Sequence, residues 1–320
     1  MVMASSGSIN LAGTSSSPQR SVKAELGTVG NQQIISAATR TLTGKASGSL
    51  LMPNDFWGKS NFTPFLAAYT TIGTTNLTVP NGCTQIEMII LSGGGSGGGV
   101  QTTSGSVMHA GGGGGAGGCT VQTISVTAGQ SITVVVGAGG SAGGTNPNNW
   151  TFSGVSSVTY AGTVYGGNAS AFGARGYFAV SAGSVGPGGI SGFPQTSAAG
   201  VGTSNVGSGG GGGAGGVGGP AMSFGGNGTG GGGGPSQTFS ITGYTLSGNV
   251  GGGGGGGRTN AGTGQGGGGN GGTSGGGAGN DATGFGSGGG GAGGTNASAD
   301  GAITAVGGNG GQGGVVFWYK

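Results

Sequence analysis

Charge is what this sequence has least of. Eight Lys and Arg and five Asp and Glu make up 4% of 320 residues, against about 25% in ordinary globular domains. The net charge is +3, but the cations are badly placed for nucleic acid. Arg20, Lys23, Arg40, Lys45 and Lys59 lie in the first 59 residues, and Arg175, Arg258 and Lys320 are scattered beyond. No basic stripe alternates with aromatics, so a nucleic-acid partner is not expected. One histidine, His109, and two cysteines, Cys83 and Cys119, are too few to predict a metal site. Past residue 92 the acids are Asp281 and Asp300, which with Glu87 give no convincing carboxylate pair. An enzyme is therefore not expected, nor a cofactor. Matches to glycine-rich phosphate loops carry no information in a chain that produces them by chance.

Long apolar runs are missing too. No stretch approaches the roughly 20 residues of a membrane-spanning helix, and the opening Met1–Ser8 has neither the charged nor the apolar region of a secretory signal. Prolines number nine and glycine has no period of three, which excludes collagen. Cys83 and Cys119 begin two expected strands. They read either as small buried hydrophobes or as a cross-strand disulfide formed after exposure to an oxidising medium.

What is abundant is glycine, with 96 residues, of which only nine precede Gly93. Runs stand at Gly111–Gly115, Gly209–Gly213, Gly230–Gly234, Gly251–Gly257, Gly266–Gly269 and Gly288–Gly291. Glycine loses the most backbone entropy on ordering and has no side chain to bury. Such runs are either flexible or satisfied by neighbouring backbones. In the second case each becomes an extended left-handed helix of three residues per turn, rising about 3.1 Å per residue. Without Cβ atoms such rods pack side by side, and we expect a polyglycine-II-like bundle.

Around the runs lie β signals. Asn76–Val79, Thr84–Leu91, Thr120–Val126, Ser131–Val136 and Val315–Tyr319 alternate or become fully apolar, as strands do. Val155–Tyr160 and Thr163–Tyr165 extend the set. The fold class is mainly β: a small antiparallel sheet or sandwich clamping the glycine bundle, plus a small mixed N-terminal segment. The expected divisions are residues 1–60 as an attachment leader, 61–92 as linker and first strands, and 93–320 as the glycine-rich domain with its closing strand.

Residues 1–60 have a different texture, with short apolar stretches each followed by a short helical candidate; Ser17-Pro18, for example, opens one that Gly27 stops. Ile9, Leu11, Leu26, Leu42, Phe56 and Trp57 are its candidate attachment residues. Inserts between glycine runs carry most remaining large side chains: Thr145–Phe152, Ala174–Val185, Phe193–Val206, Pro235–Ser247 and Asn280–Phe285. Loops on a rigid scaffold are where recognition usually resides. Trp150, Tyr177, Phe239 and Tyr244, with Asn148 and Asn149 beside them, are the candidate receptor contacts; each reads equally as packing over the rods.

Two resemblances follow. Ser6–Leu11, Lys23–Gly27, Arg40–Ser49 and Asn54–Ser60 resemble a leader found at the front of tailed-bacteriophage virion proteins, with Trp57 where Tyr is usual. Leu77–Gly82 leading to the Gly93–Gly99 run, then Val126–Gly140, then Gly307–Val316, resemble the glycine-rich domain of phage tail-fibre and receptor-binding proteins. The resemblance implies a virion protein held to the particle by residues 1–60, with other virion proteins as partners there. It implies a bacterial surface protein or glycan as the partner of the loops, and leaves homo-oligomer formation open. A purely architectural virion component (collar, baseplate, capsid fibre or decoration protein) is the rival reading.

Overall fold

The computed structural model describes residues 62–101, 108–142, 153–166, 222–224, 227–257, 260–273, 275–296 and 303–320. Among them there is no helix. The chain begins with β1 (Phe65–Tyr69), β2 (Gly73–Thr78) and β3 (Gln85–Leu91), then β4 (Val100–Gln101) and β5 (Met108–His109). Next come β6 (Cys119–Ser125), β7 (Ser131–Val136), β8 (Ser157–Tyr160) and β9 (Thr163–Gly166). Short pairs β10 (Met222–Phe224) with β11 (Asn227–Thr229) and β12 (Phe239–Ile241) with β13 (Tyr244–Leu246) precede β14 (Thr295–Asn296), β15 (Thr304–Ala305) and β16 (Gly314–Tyr319).

Two four-stranded sheets, ordered β1-β16-β3-β6 and β2-β7-β8-β9, make a sandwich. Alternation sends Ile86, Met88, Ile90, Val315, Phe317 and Tyr319 inward from the first sheet. They meet Ile132, Val134, Val136 and Val158 of the second in one buried cluster. The turns after β2 and β6 therefore carry the chain from one sheet to the other. Gly82 (φ 88°) and Gly129 (φ 82°) supply the left-handed residues those turns need. Strand β1, an Ala-containing Phe-Leu-Ala-Ala-Tyr segment of weak β propensity, pairs with β16 at the edge. Both 61–92 and 93–320 contribute strands, so the sandwich is shared between them.

Beyond the sandwich the pairing continues under a new rule. The β3–β6 ladder ends at Leu91 opposite Cys119. From there Ser92, Gly95 and Gly98 donate to the carbonyls of Gly118, Gly115 and Gly112, one bond every third residue. Between them Gly94 and Gly97 turn to a different partner, the carbonyls of Gly311 and Gly308. A helix of three residues per turn points successive N–H groups about 120° apart, so each run bonds in several directions. The flat ladder becomes a lattice.

Run 251–257 shows the rule completely. Gly251, Gly254 and Gly257 donate to Gly266, Gly269 and Gly272. Gly252 and Gly255 donate to Gly234 and Gly231, and Gly253 and Gly256 to Gly114 and Gly111. Run 286–294 is enclosed on all sides. Its N–H groups reach Gly251, Gly254 and Gly257, then Gly95 and Gly98, then Asn280 and Gly277. Its carbonyls accept from Gly269 and Gly272, from Gly111 and Gly114, and from Gly308. At its glycines such an interior has no room for a Cβ: one built on Gly291 would overlap the Gly111 carbonyl.

Side chains enter the lattice at only a few positions. Ala116 faces the apolar cluster beneath the first sheet, and Ala292 packs with Val100 and Ala305. Buried Ser287 donates from Oγ to the Gly266 carbonyl (2.8 Å) and accepts from Gly251 N–H (3.3 Å). At exposed positions, side-chain oxygens replace a neighbouring run. Asn270 Oδ1 accepts from Gly264, Asn309 Oδ1 from Ala142 and Asp281 Oδ1 from Asn309.

Candidate functional site

The direction of the runs separates two ends. Strand β16 starts at the lattice and finishes at Tyr319, opposite Phe65. That end of the sandwich is where residues before Phe62 join. Phe65 stacks on Tyr319 with centroids 4.7 Å apart and remains 42% exposed, beside half-exposed Leu66. The residues assigned to attachment, Ile9, Leu11, Leu26, Leu42, Phe56 and Trp57, lie outside the described part.

At the other end the runs reverse. Small ladders β4–β15 and β5–β14 close it. Gly257 bonds to Gly272 and Gly294 there, and Gly293 to Gly277. The residues flanking 102–107, 258–259, 274 and 297–302 are therefore gathered far from the sandwich. Run 137–142 heads the same way before residue 143, since Gly140 bonds to Gly94 and Gly310 while Gly137 bonds to Gly313 beside β16. Trp150, Asn148, Asn149 and Tyr177 lie outside the described residues.

The insert Pro235–Ser247 is elsewhere. Its strands β12 and β13 form a hairpin against the outer face of the first sheet. Phe239 is 7% exposed and packs with Leu246 and Val250 against Ile89, Leu91 and Val316. Its ring packs in this second core, the environment that the packing reading describes. Tyr244 is half-buried at the same cluster. Candidate contacts Phe239 and Tyr244 thus sit beside the sandwich, away from the reversing end.

Glu87 fastens this hairpin. It points outward from β3, its Oε1 2.6 Å from Lys320 Nζ and its Oε2 accepting from Thr242 N–H at 2.7 Å. Lys320 and that N–H hold its carboxyl well below the usual range, at about 2. Gly243 (φ 72°) completes the turn, where an added Cβ would stand 3.2 Å from the Trp318 ring. Cys83 and Cys119 are free and buried in different clusters, on opposite sides of the first sheet. Burial pushes both thiols up. The disulfide reading is thereby overturned.

One exposed aromatic was not singled out as a contact residue. Phe285, 37% exposed, borders two depressions on the flank of the molecule. Its only sequence signal is a lone large ring between Gly284 and Gly286. Among the described residues no group of His, Cys, Asp and Glu could hold a metal ion, and no helix is long and apolar enough to cross a membrane.

No curated protein matches the chain. The profile of a glycine-rich domain family matches residues 70–320, which takes in the lattice and every strand of the sandwich except β1. By that match over most of its length, the chain belongs to the glycine-rich domain family.

Proposed function

We propose that this chain is a non-enzymatic phage virion protein of the tail-fibre or adhesin type, held to the particle through residues 1–60 and presenting loops to a bacterial surface. The observation that carries the reading is polarity. Residues before Phe62 join one end of the sandwich, and the lattice runs reverse at the opposite end. An attached base and a presented tip need that separation. The lattice suits the task physically, because backbone groups hold it together and exchanged loops leave those bonds in place. The phage assignment itself rests on the leader resemblance of residues 6–60 and on the order of motifs from Leu77 to Val316.

Within this reading Thr145–Phe152 is the insert to test, with Trp150, Asn148 and Asn149 as contacts; rigid aromatics with polar neighbours give contact area at low entropic cost. Particles carrying a short glycine-serine loop in its place should assemble normally and adsorb poorly to host cells. Normal adsorption by intact particles would favour the architectural virion component instead.

A further inference from the structure

We propose that Phe285 and the depressions on either side of it form a binding site for a neutral N-acetylated hexosamine. The site lies beside the sandwich, so it is separate from the reversing end and does not depend on the attachment reading.

The backbone that carries the aromatic is held at both of its polar groups. Phe285 N–H donates to Asn249 Oδ1 (2.9 Å), and its carbonyl accepts from Val250 N–H (3.2 Å). Gly286 follows with φ 62°, a left-handed turn that glycine adopts without strain. An exposed ring carried on a backbone fixed on both sides offers a flat apolar face at little entropic cost. That face suits the C–H side of a pyranose.

The two depressions differ in chemistry. One holds about 240 Å³ and is lined by Ala282, Thr283, Gly284, Gly311 and Gln312. Drug-sized ligands need roughly 300–1,000 Å³, so this groove suits a single ring. Its polar groups are a hydroxyl, a carboxamide and backbone. Gln312 is anchored, since Nε2 donates to the Thr70 carbonyl at 3.1 Å, and Oε1 keeps its acceptor capacity. The other depression is a notch of about 50 Å³ with an apolar floor of Ile89, Leu91, Leu246 and Val316, and Tyr244 beside Phe285. A methyl group fits there and a second sugar does not.

No charged side chain lines either depression. An anionic sugar would be desolvated without a counter-charge, which is unfavourable. A ring with hydroxyls for the groove and an acetamido methyl for the notch meets both halves across Phe285.

The probes are the methyl glycosides of N-acetylglucosamine, N-acetylgalactosamine and glucose, titrated into the full chain with saturation-transfer NMR. At least one acetamido glycoside should bind with millimolar affinity, its acetyl methyl receiving the strongest saturation, and about tenfold more tightly than the glucoside. Phe285→Leu, which keeps apolar volume and removes the flat ring, should weaken that binding about tenfold at unchanged melting temperature. If that variant does not fold, Gln312→Ala should show the same loss. Exchange of Thr145–Phe152 should leave this binding untouched, which separates its failure from that of the attachment reading. Absence of binding by both acetamido glycosides, or wild-type binding by a folded Phe285→Leu or Gln312→Ala, would overturn the site.

Discussion

Gly253 donates its N–H to the carbonyl of Gly114 at 2.9 Å, and no side chain takes part. Gly114 in turn donates to Gly289 at 2.7 Å, and the carbonyl of Gly289's neighbour Gly288 accepts from Gly269. Backbone bonds thus link segments distant in sequence as a hydrophobic core links side chains. Several consequences for substitution follow from where a Cβ has room.

In the enclosed run, Gly291→Val should prevent folding, because the new atoms would overlap the Gly111 carbonyl. Backbone, unlike a flexible side chain, has nowhere to move. The cost should exceed about 4 kcal/mol, outside the ordinary range of single substitutions. Gly232→Ala is the control, since its nearest neighbour, the Thr263 carbonyl, would be 3.7 Å away. A change within about 0.5 kcal/mol is expected there. Paired chemical denaturation curves check both, and equal curves would mean that the lattice does not bear on stability.

Ser287→Ala removes a buried hydroxyl that bonds Gly266 and Gly251. The Gly251 N–H and the Gly266 carbonyl also bond each other, so neither is left without a partner and the loss should be about 0.5–1.5 kcal/mol. The shift in denaturation midpoint measures it, and an unchanged midpoint would show that other groups take over both bonds.

Glu87 sets an acid limb. Its folded value of about 2 lies below the ordinary 4.5, so its bonds to Lys320 and Thr242 stabilise the fold fully above that ordinary value. The contribution is lost as pH falls from about 4.5 to about 2. Glu87→Gln should flatten stability across this window while leaving other limbs in place. Melting temperatures recorded between about pH 5 and about pH 2, the range in which the carboxylate titrates, decide it; parallel profiles for the two proteins would refute the linkage.

Cys83 and Cys119 should remain thiols after air oxidation of the folded protein, because the first sheet lies between their clusters. Both should resist a water-soluble thiol reagent until denaturant is added. Rapid labelling of the native protein, or a mass lower by two hydrogens, would contradict this placement.

Much of the scaffold was readable from the chain. Glycine runs had no side chains with which to satisfy their peptide groups, so backbone neighbours followed from elementary accounting. The strands Thr84–Leu91 and Val315–Tyr319 announced themselves by apolar content, and they form the centre of the first sheet. Neighbour identity was not readable, because one glycine run is chemically the same as the next. Register is marked instead by sparse residues such as Ser287, Asn270 and Asn309, whose roles appear only in three dimensions. Strand β1 was missed because Ala67 and Ala68 weaken its pattern. The hairpin carrying Phe239 read as a presented loop, although Phe239, Ile241, Tyr244 and Leu246 around Thr242-Gly243 did carry a two-residue turn signal. Burial of Phe239 depends on Ile89 and Val316 from distant strands, which a local pattern does not contain.

A body held by peptide groups has an unusual thermal response. Unfolding a hydrocarbon core raises heat capacity by about 0.45 cal/K/mol per Å² of apolar surface, whereas exposing polar surface lowers it by about 0.26. The sandwich contributes the first kind of surface, but run 286–294 and its neighbours contribute mostly the second. The two oppose each other, so the heat-capacity increment per residue should fall below the usual range. Stability then varies less with temperature, and cooling removes less of it. A protein built this way keeps its shape in cold water for the same reason that it needs so few hydrophobic residues.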